Sequence, residues 1–313
     1  MIEINNATKK LGKTIAINDL SLNIENGIYG LVGQNGAGKS TLFRLISDVY
    51  SLDKGEILID NQINSSKEIK SNLLFLQDDP YYPSFSTLKN ICDLYQCFYK
   101  IDKDYMDSLL NKLNLPYDKS LSSFSKGMKR QAFICLALSI DVKYLLLDEA
   151  FDGIDPLALD LIKQEIIKKY TNNDKTLIIA SHNLESLENL CDKFIIISNG
   201  RMVAQGDESS MSNIFIKLQI VFNLENLKLS NIPNKLYSEI NELIFKSLNL
   251  DVVSFNKVGS VYEVVIKTNK NVDPKQLIKK ALDPILLDEI PLSYAEIIKL
   301  QMLCAKKENS KNE

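Results

Sequence analysis

The feature that most constrains this chain is a nine-residue run, Gly33-Gln34-Asn35-Gly36-Ala37-Gly38-Lys39-Ser40-Thr41. It follows the apolar stretch IYGLV and runs on into TLFRLI. The spacing is that of G-x-x-x-x-G-K-[ST], and a strand before it with a helix after it is the context this loop requires. Its glycines let the backbone curl until successive N–H groups point at one anion, and the helix N-terminus adds positive potential. Lys39 is placed to bind the β- and γ-phosphates of a nucleotide and Ser40 to ligate Mg²⁺. A chain built on this loop needs a strand beneath it and a helix beyond it, so it is an α/β protein.

The second signal is Tyr144-Leu145-Leu146-Leu147-Asp148-Glu149, an apolar strand ending in two carboxylates. Beside a phosphate loop, Asp148 can hold Mg²⁺ directly or through water, and Glu149 can orient and deprotonate the attacking water. Further short apolar strands are expected at 56–60, 72–77, 176–182 and 193–198, with helices at 156–170 and 184–191 between the later ones. Strands alternating with helices indicate a parallel core sheet covered on both faces. The half-buried alternation in LSLNIENG makes the N-terminal part strand-rich. Residues 80–138 read as a helical subdomain, and NGRMVAQGD, 199–207, as a closing hairpin.

From residue 212 the pattern changes to a small α+β module. Its expected strands are KLQIVFNL and SVYEVVIKT, and its expected helices PNKLYSEINELIFKSL and DPKQLIKKAL. The expected division is therefore a P-loop NTPase domain over 1–211, an accessory domain over 212–305 and a charged, disordered tail over 306–313.

Taken in order, GLVGQNGAGKSTLFRLI, Gln77 in FLQDD, FSKGMKRQ, LLLDEAFDGIDP and IIASH resemble the motif set of ABC transporter ATPase domains. Five elements in the right order are far more specific than any one, and they cover about two-thirds of the chain. The resemblance implies an N-terminal antiparallel β part, a parallel core sheet and a helical subdomain. It implies that Gln77 touches Mg²⁺ and senses a membrane subunit. It places Ser125 and Gly127 in the signature that caps the γ-phosphate of an opposite subunit, Gly153-Ile154-Asp155 in a loop at that subunit boundary, and His182, the only histidine, at the γ-phosphate. The signature reads FSKGM where LSGGQ is usual, as in a bacterial export subgroup. Leu11 stands where an aromatic residue normally stacks on adenine, and it offers apolar contact without π-stacking. Leu136 replaces an arginine normal in the helix after the signature. The segment EIPLSYAEIIKL resembles the end of an accessory domain of export-type subunits, although a helix packing on a small sheet explains Tyr294, Ile297 and Ile298 equally well.

The resemblance implies ATP and Mg²⁺ as ligands and, as partners, an integral membrane permease and a second copy or a paralogous ATPase subunit. After Gln77, Tyr81, Tyr82 and Phe85 are anchor types for the permease or pack locally. The net charge of −3 and the lack of a dense Lys/Arg block speak against nucleic acid. The N-terminus lacks the apolar stretch of a signal peptide, and the longest apolar runs are too short to span a bilayer. The expected location is the cytoplasm, at the inner face of the membrane through the permease. Five cysteines without CxxC spacing read as buried, reduced thiols. A ribosome- or DNA-acting relative would carry two ATPase domains or a long coiled coil, and a GTPase switch would carry N-K-x-D; neither pattern is present.

Overall fold

A computed structural model of the chain describes residues 1–171, 173–222, 245, 247–268 and 273–309. The chain forms two compact units, Met1–Gln205 and Gly206–Glu313.

The first unit contains an antiparallel sheet in the order β2-β1-β4-β5, from β1 (Ile2–Leu11), β2 (Thr14–Ile24), β4 (Lys54–Ile59) and β5 (Gln62–Ile63). The second sheet has the order β10-β9-β3-β8-β7-β6. Its strands are β3 (Gly27–Val32), β6 (Leu73–Leu76), β7 (Tyr144–Asp148), β8 (Thr176–Ser181), β9 (Lys193–Ser198) and β10 (Arg201–Gly206). The pairs β6–β7, β7–β8, β8–β3 and β3–β9 are all parallel. Strands buried on both faces must be apolar throughout. Leu145, Leu146 and Leu147 are each 0% exposed, and burying a leucine side chain contributes roughly 1.5–3 kcal/mol. The Asn199-Gly200 pair, with φ of 49° and 73°, makes the tight β9–β10 hairpin.

The helices of this unit are α1 (Lys39–Ile46), α2 (Lys67–Asn72), α3 (Leu88–Tyr95), α4 (Lys103–Lys112), α5 (Lys126–Ser139) and α6 (Pro156–Tyr170). The Asp155 side chain caps α6 by accepting from Ala158 N, with Pro156 in the first turn. Leu136 is 1% exposed on the buried side of α5. The expected helix at 184–191 is instead a run of turns. Its hydrogen bonds mix three- and four-residue spacing, and Asn189 sits at φ 60°, which stops helix propagation. The five cysteines are thiols and form no disulfide; Cys92 and Cys135 are buried as expected, whereas Cys97 is exposed and Cys191 and Cys304 are half-buried.

In the second unit, β11 (Phe215–Val221), β12 (Asp251–Val258), β13 (Val261–Lys267) and β14 (Leu286–Ile290) form an antiparallel sheet in the order β12-β13-β11-β14. It is accompanied by α7 (Glu208–Met211), α8 (Pro274–Leu282) and α9 (Tyr294–Asn309). One core gathers Leu218, Ile220, Tyr262, Val264, Ile266 and Ile278. Strands β12 and β14 add to the two strands expected here. Most of the expected helix at 233–248 lies outside the described residues. Ile297 and Ile298 are 2% and 1% exposed and Tyr294 Oη donates to Gly206 O, so these residues serve packing. Helix α9 runs to Asn309, past the point where the sequence predicts a disordered tail, and residues 310–313 lie outside the described residues.

Candidate functional site

Four neighbouring parallel strands, β6, β7, β8 and β3, end on the same edge of the sheet, and each hands over to one of the sequence motifs. Gln77 follows β6, Asp148 and Glu149 close β7, His182 follows β8, and the Gly33–Thr41 loop follows β3. The register makes this convergence tight: Val32 pairs with Ser181, Asp148 with Ala180 and Leu76 with Leu147. Open α/β sheets place ligands at the carboxyl ends of their strands for this reason.

Within the loop, Gln34, Asn35 and Gly36 are exposed, whereas Gly33, Ala37, Lys39 and Thr41 are buried. Gly38 has φ 109°, and a Cβ there would lie 2.6 Å from Ala16 O. No other residue type meets both demands. Helix α1 then begins without a side-chain cap, which leaves its first N–H groups for an anion. Lys39 Nζ donates to Gly33 O at 2.8 Å and stands 3.3 Å from Glu149 Oε1.

Glu149 is held from several sides. It sits at φ 46°, its N–H donates to Ala180 O at 2.9 Å, and its Oε2 accepts from His182 N at 3.2 Å. His182 Nδ1 lies 2.9 Å from the same oxygen. Asp152 closes the turn that starts at Glu149, with its N–H on Glu149 O at 3.3 Å. The side-chain ligand atoms of Glu149, Asp152 and His182 lie within 4.8 Å of one another. Asp152 was not singled out by the sequence.

Asp148 is 2% exposed, and its Oδ1 has no hydrogen-bond partner. Burial raises its proton affinity and the Glu149 carboxylate adds to this, while a hydrogen bond from Ser40 and the charge of Lys39 oppose it. An orphaned, buried carboxylate oxygen next to a serine hydroxyl suits a hard divalent cation, which takes oxygen ligands.

None of the remaining expected residues makes a described hydrogen bond to Lys39, Asp148, Glu149 or His182. Gln77 is exposed at the strand end. Leu11 ends β1, 40% exposed, next to the Gly12 turn. Ser125 caps α5 by accepting from Met128 N at 3.2 Å. A Cβ on Gly127 would lie 2.5 Å from Gly153 O, so this glycine is required by packing within the chain. Tyr82 turns inward, against Phe133 at 6.1 Å and under Lys129 at 5.5 Å, while Tyr81 and Phe85 are 86% and 85% exposed.

Fold and site together define a P-loop nucleoside triphosphatase. The ABC transporter family matches residues 17–152. The chain is 28% identical over 301 residues to ABC transporter ATP-binding protein YtrB of Bacillus subtilis (strain 168), covering 95% of this chain and 96% of that protein. It is 30% identical over 217 residues to the lantibiotic transport ATP-binding protein SrtF of Streptococcus pyogenes, covering 68% of this chain and 94% of the relative. Among solved structures, an ATP-binding subunit of an ABC transporter superposes with a TM-score of 0.62 at 22% identity, covering 77% of this chain and 99% of that one. A dimeric ATP-binding cassette with ADP and phosphate superposes with a TM-score of 0.59 at 21% identity, covering 66% and 98%. This chain belongs to the ATP-binding proteins of the ABC transporter family.

Proposed function

We propose that this chain binds ATP with Mg²⁺ and hydrolyses it as one of two ATPase subunits docked on a membrane permease, powering export. The observation that carries the reading is the convergence of Lys39, Asp148, Glu149 and His182 at the ends of adjacent strands, with Lys39 Nζ 3.3 Å from Glu149 and His182 Nδ1 2.9 Å from it.

In this reading Gly33–Thr41 wraps the phosphates with backbone N–H groups, and Lys39 adds a cation. Asp148 and Ser40 hold Mg²⁺, with Gln77 joining from the neighbouring strand. The metal, when bound, neutralises charge on the phosphate oxygens. Glu149 takes the proton of the attacking water, and His182 fixes the direction of that carboxylate. Leu11 gives the base an apolar contact. Catalysis rests on positioning and charge, with no covalent step on the protein. Ser125 and the N-terminus of α5 act on the nucleotide of a second copy or a paralogous subunit, a reading supported by the exposure of Ser125 and by its making no described hydrogen bond to this chain's own cluster.

The permease surface follows Gln77. Tyr81 and Phe85 present large apolar area to solvent, and a cavity of about 520 Å³ lies between the end of α1 and α3, walled by Val49, Phe75, Leu94, Tyr95 and Phe98. An apolar helix or loop of the permease suits such a groove. No helix among the described residues is long and apolar enough to cross a membrane, so attachment to the inner face would come through the permease. Export is supported by the FSKGM signature and by relatives named for lantibiotic transport and for Nod factor export.

The test is Glu149→Gln, which keeps the shape and removes the base. Turnover should fall about 10²-fold or more, the scale of a lost general base, while ATP still binds and an ATP-bound dimer accumulates. Near-normal turnover would remove Glu149 from the reaction.

A further inference from the structure

Arg130 is 6% exposed and lies in the second turn of α5, remote in sequence from both loops that its guanidinium reaches. Nη2 donates to Asp78 Oδ1, in the residue directly after Gln77. Nη1 donates to Asp152 O and stands 4.0 Å from Asp152 Oδ2, in the turn that begins at Glu149. Nε is buried without a partner. The same helix presses its Gly127 against Gly153 O, one residue further along that turn.

A buried guanidinium persists only where its charge is paired. Here one planar group satisfies that need with two acceptors from two different strand-end loops, each taken by its own arm of a rigid fork whose geometry a point-charge ammonium does not reproduce. The two ends differ. The Asp152 end is a backbone carbonyl locked in the Glu149 turn, whereas the Asp78 side chain is 53% exposed and open to anything that docks beside Gln77.

We propose that Arg130 is a positioning residue for ATP hydrolysis: by tying Asp78 to the Asp152 carbonyl it sets where the Glu149 turn stands and links that turn to the loop after β6. This inference rests on the ATPase reading given above. Arg130 touches no nucleotide in it, so its loss acts on turnover and not on binding.

The experiment measures steady-state ATP hydrolysis, ATP affinity and thermal unfolding for the full-length chain and for Arg130→Met, Arg130→Lys, Asp78→Asn and the Arg130→Met/Asp78→Asn double variant. Glu149→Gln serves as the reference for a dead site. Arg130→Met and Asp78→Asn should each lower kcat about ten-fold or more, the loss that a misplaced catalytic group brings, with ATP affinity within about two-fold of the parent. Arg130→Lys should recover only part of the rate, because it keeps the charge but not the fork. The double variant should be no slower than Arg130→Met alone, since both changes cut one link. If Arg130→Met does not fold, Asp78→Asn at its exposed end decides by itself. Turnover of a folded Asp78→Asn chain within about two-fold of the parent, or losses that multiply in the double variant, would overturn the proposal. A parent chain no faster than Glu149→Gln would instead overturn the ATPase reading beneath it.

Discussion

Lys39 occupies a position where one ammonium serves two structures. It donates to Gly33 O, which holds the loop closed on itself, and it pairs with Glu149 across the strand ends. At 6% exposure its charge is screened little by solvent, so both contacts are stronger than they would be at a surface. Lys39→Ala removes a side-chain cation from a phosphate loop otherwise built of backbone N–H groups. ATP affinity measured by titration should fall about ten-fold or more, as a lost charge-assisted hydrogen bond of roughly 1.5–3 kcal/mol requires. Unchanged affinity would take Lys39 out of the site. Most residues of the site were legible because their roles demand particular chemistry: glycines where φ is positive, a lysine before a hydroxyl, two carboxylates at a strand end. Arg130 was not. Its partners lie 52 and 22 residues away, and nothing in KGMKRQ separates a buried, doubly bonded arginine from a solvated one.

At the scale of elements, α5 and α6 show how a helix end is stabilised by a neighbour. Lys169, near the end of α6, donates to Leu138 O and Ile140 O at the last turn of α5, satisfying carbonyls that the helix leaves unpaired. Burial there pushes its ammonium down to about 8, with repulsion from Lys175 adding and Asp141 and Asp102 opposing. A lysine whose folded value lies below its unfolded one binds fewer protons folded than unfolded between about pH 8 and 10.5. Stability therefore rises with pH across that window. The denaturation midpoint of the wild type should climb relative to Lys169→Met between pH 8 and 10.5, and parallel pH profiles would contradict the assignment. The parallel strands were legible as continuous apolar runs such as YLLLD. Strand β14 was not, because LLDEI is exposed or half-buried along its length and shows no clean alternation. The stretch 184–191 carries a helical apolar spacing, yet a single left-handed residue, Asn189, turns it into successive turns.

The whole molecule pairs an ATPase unit with a second sheet-based unit whose core is separate in sequence and composition. In the function proposed above, Ser125 is the residue that makes the first unit more than a nucleotide holder. It caps α5, 14 residues long, with an exposed side chain, and none of its described hydrogen bonds reaches Lys39, Asp148, Glu149 or His182. An exposed hydroxyl at a helix N-terminus with no hydrogen bond to its own site fits a nucleotide held by another subunit. Hydrolysis per subunit should then rise with protein concentration wherever the dimer is dilute. The most direct test of this composite site mixes two inactive variants, Lys39→Ala and Ser125→Arg. In a head-to-tail dimer of the two, one site carries both lesions and the other carries neither. The result expected is that ATP hydrolysis, close to background for each variant alone, returns on mixing to about half the parental rate per mixed dimer. A mixture no more active than its separate components, under conditions where the parent chain hydrolyses ATP, would contradict a site shared between two subunits.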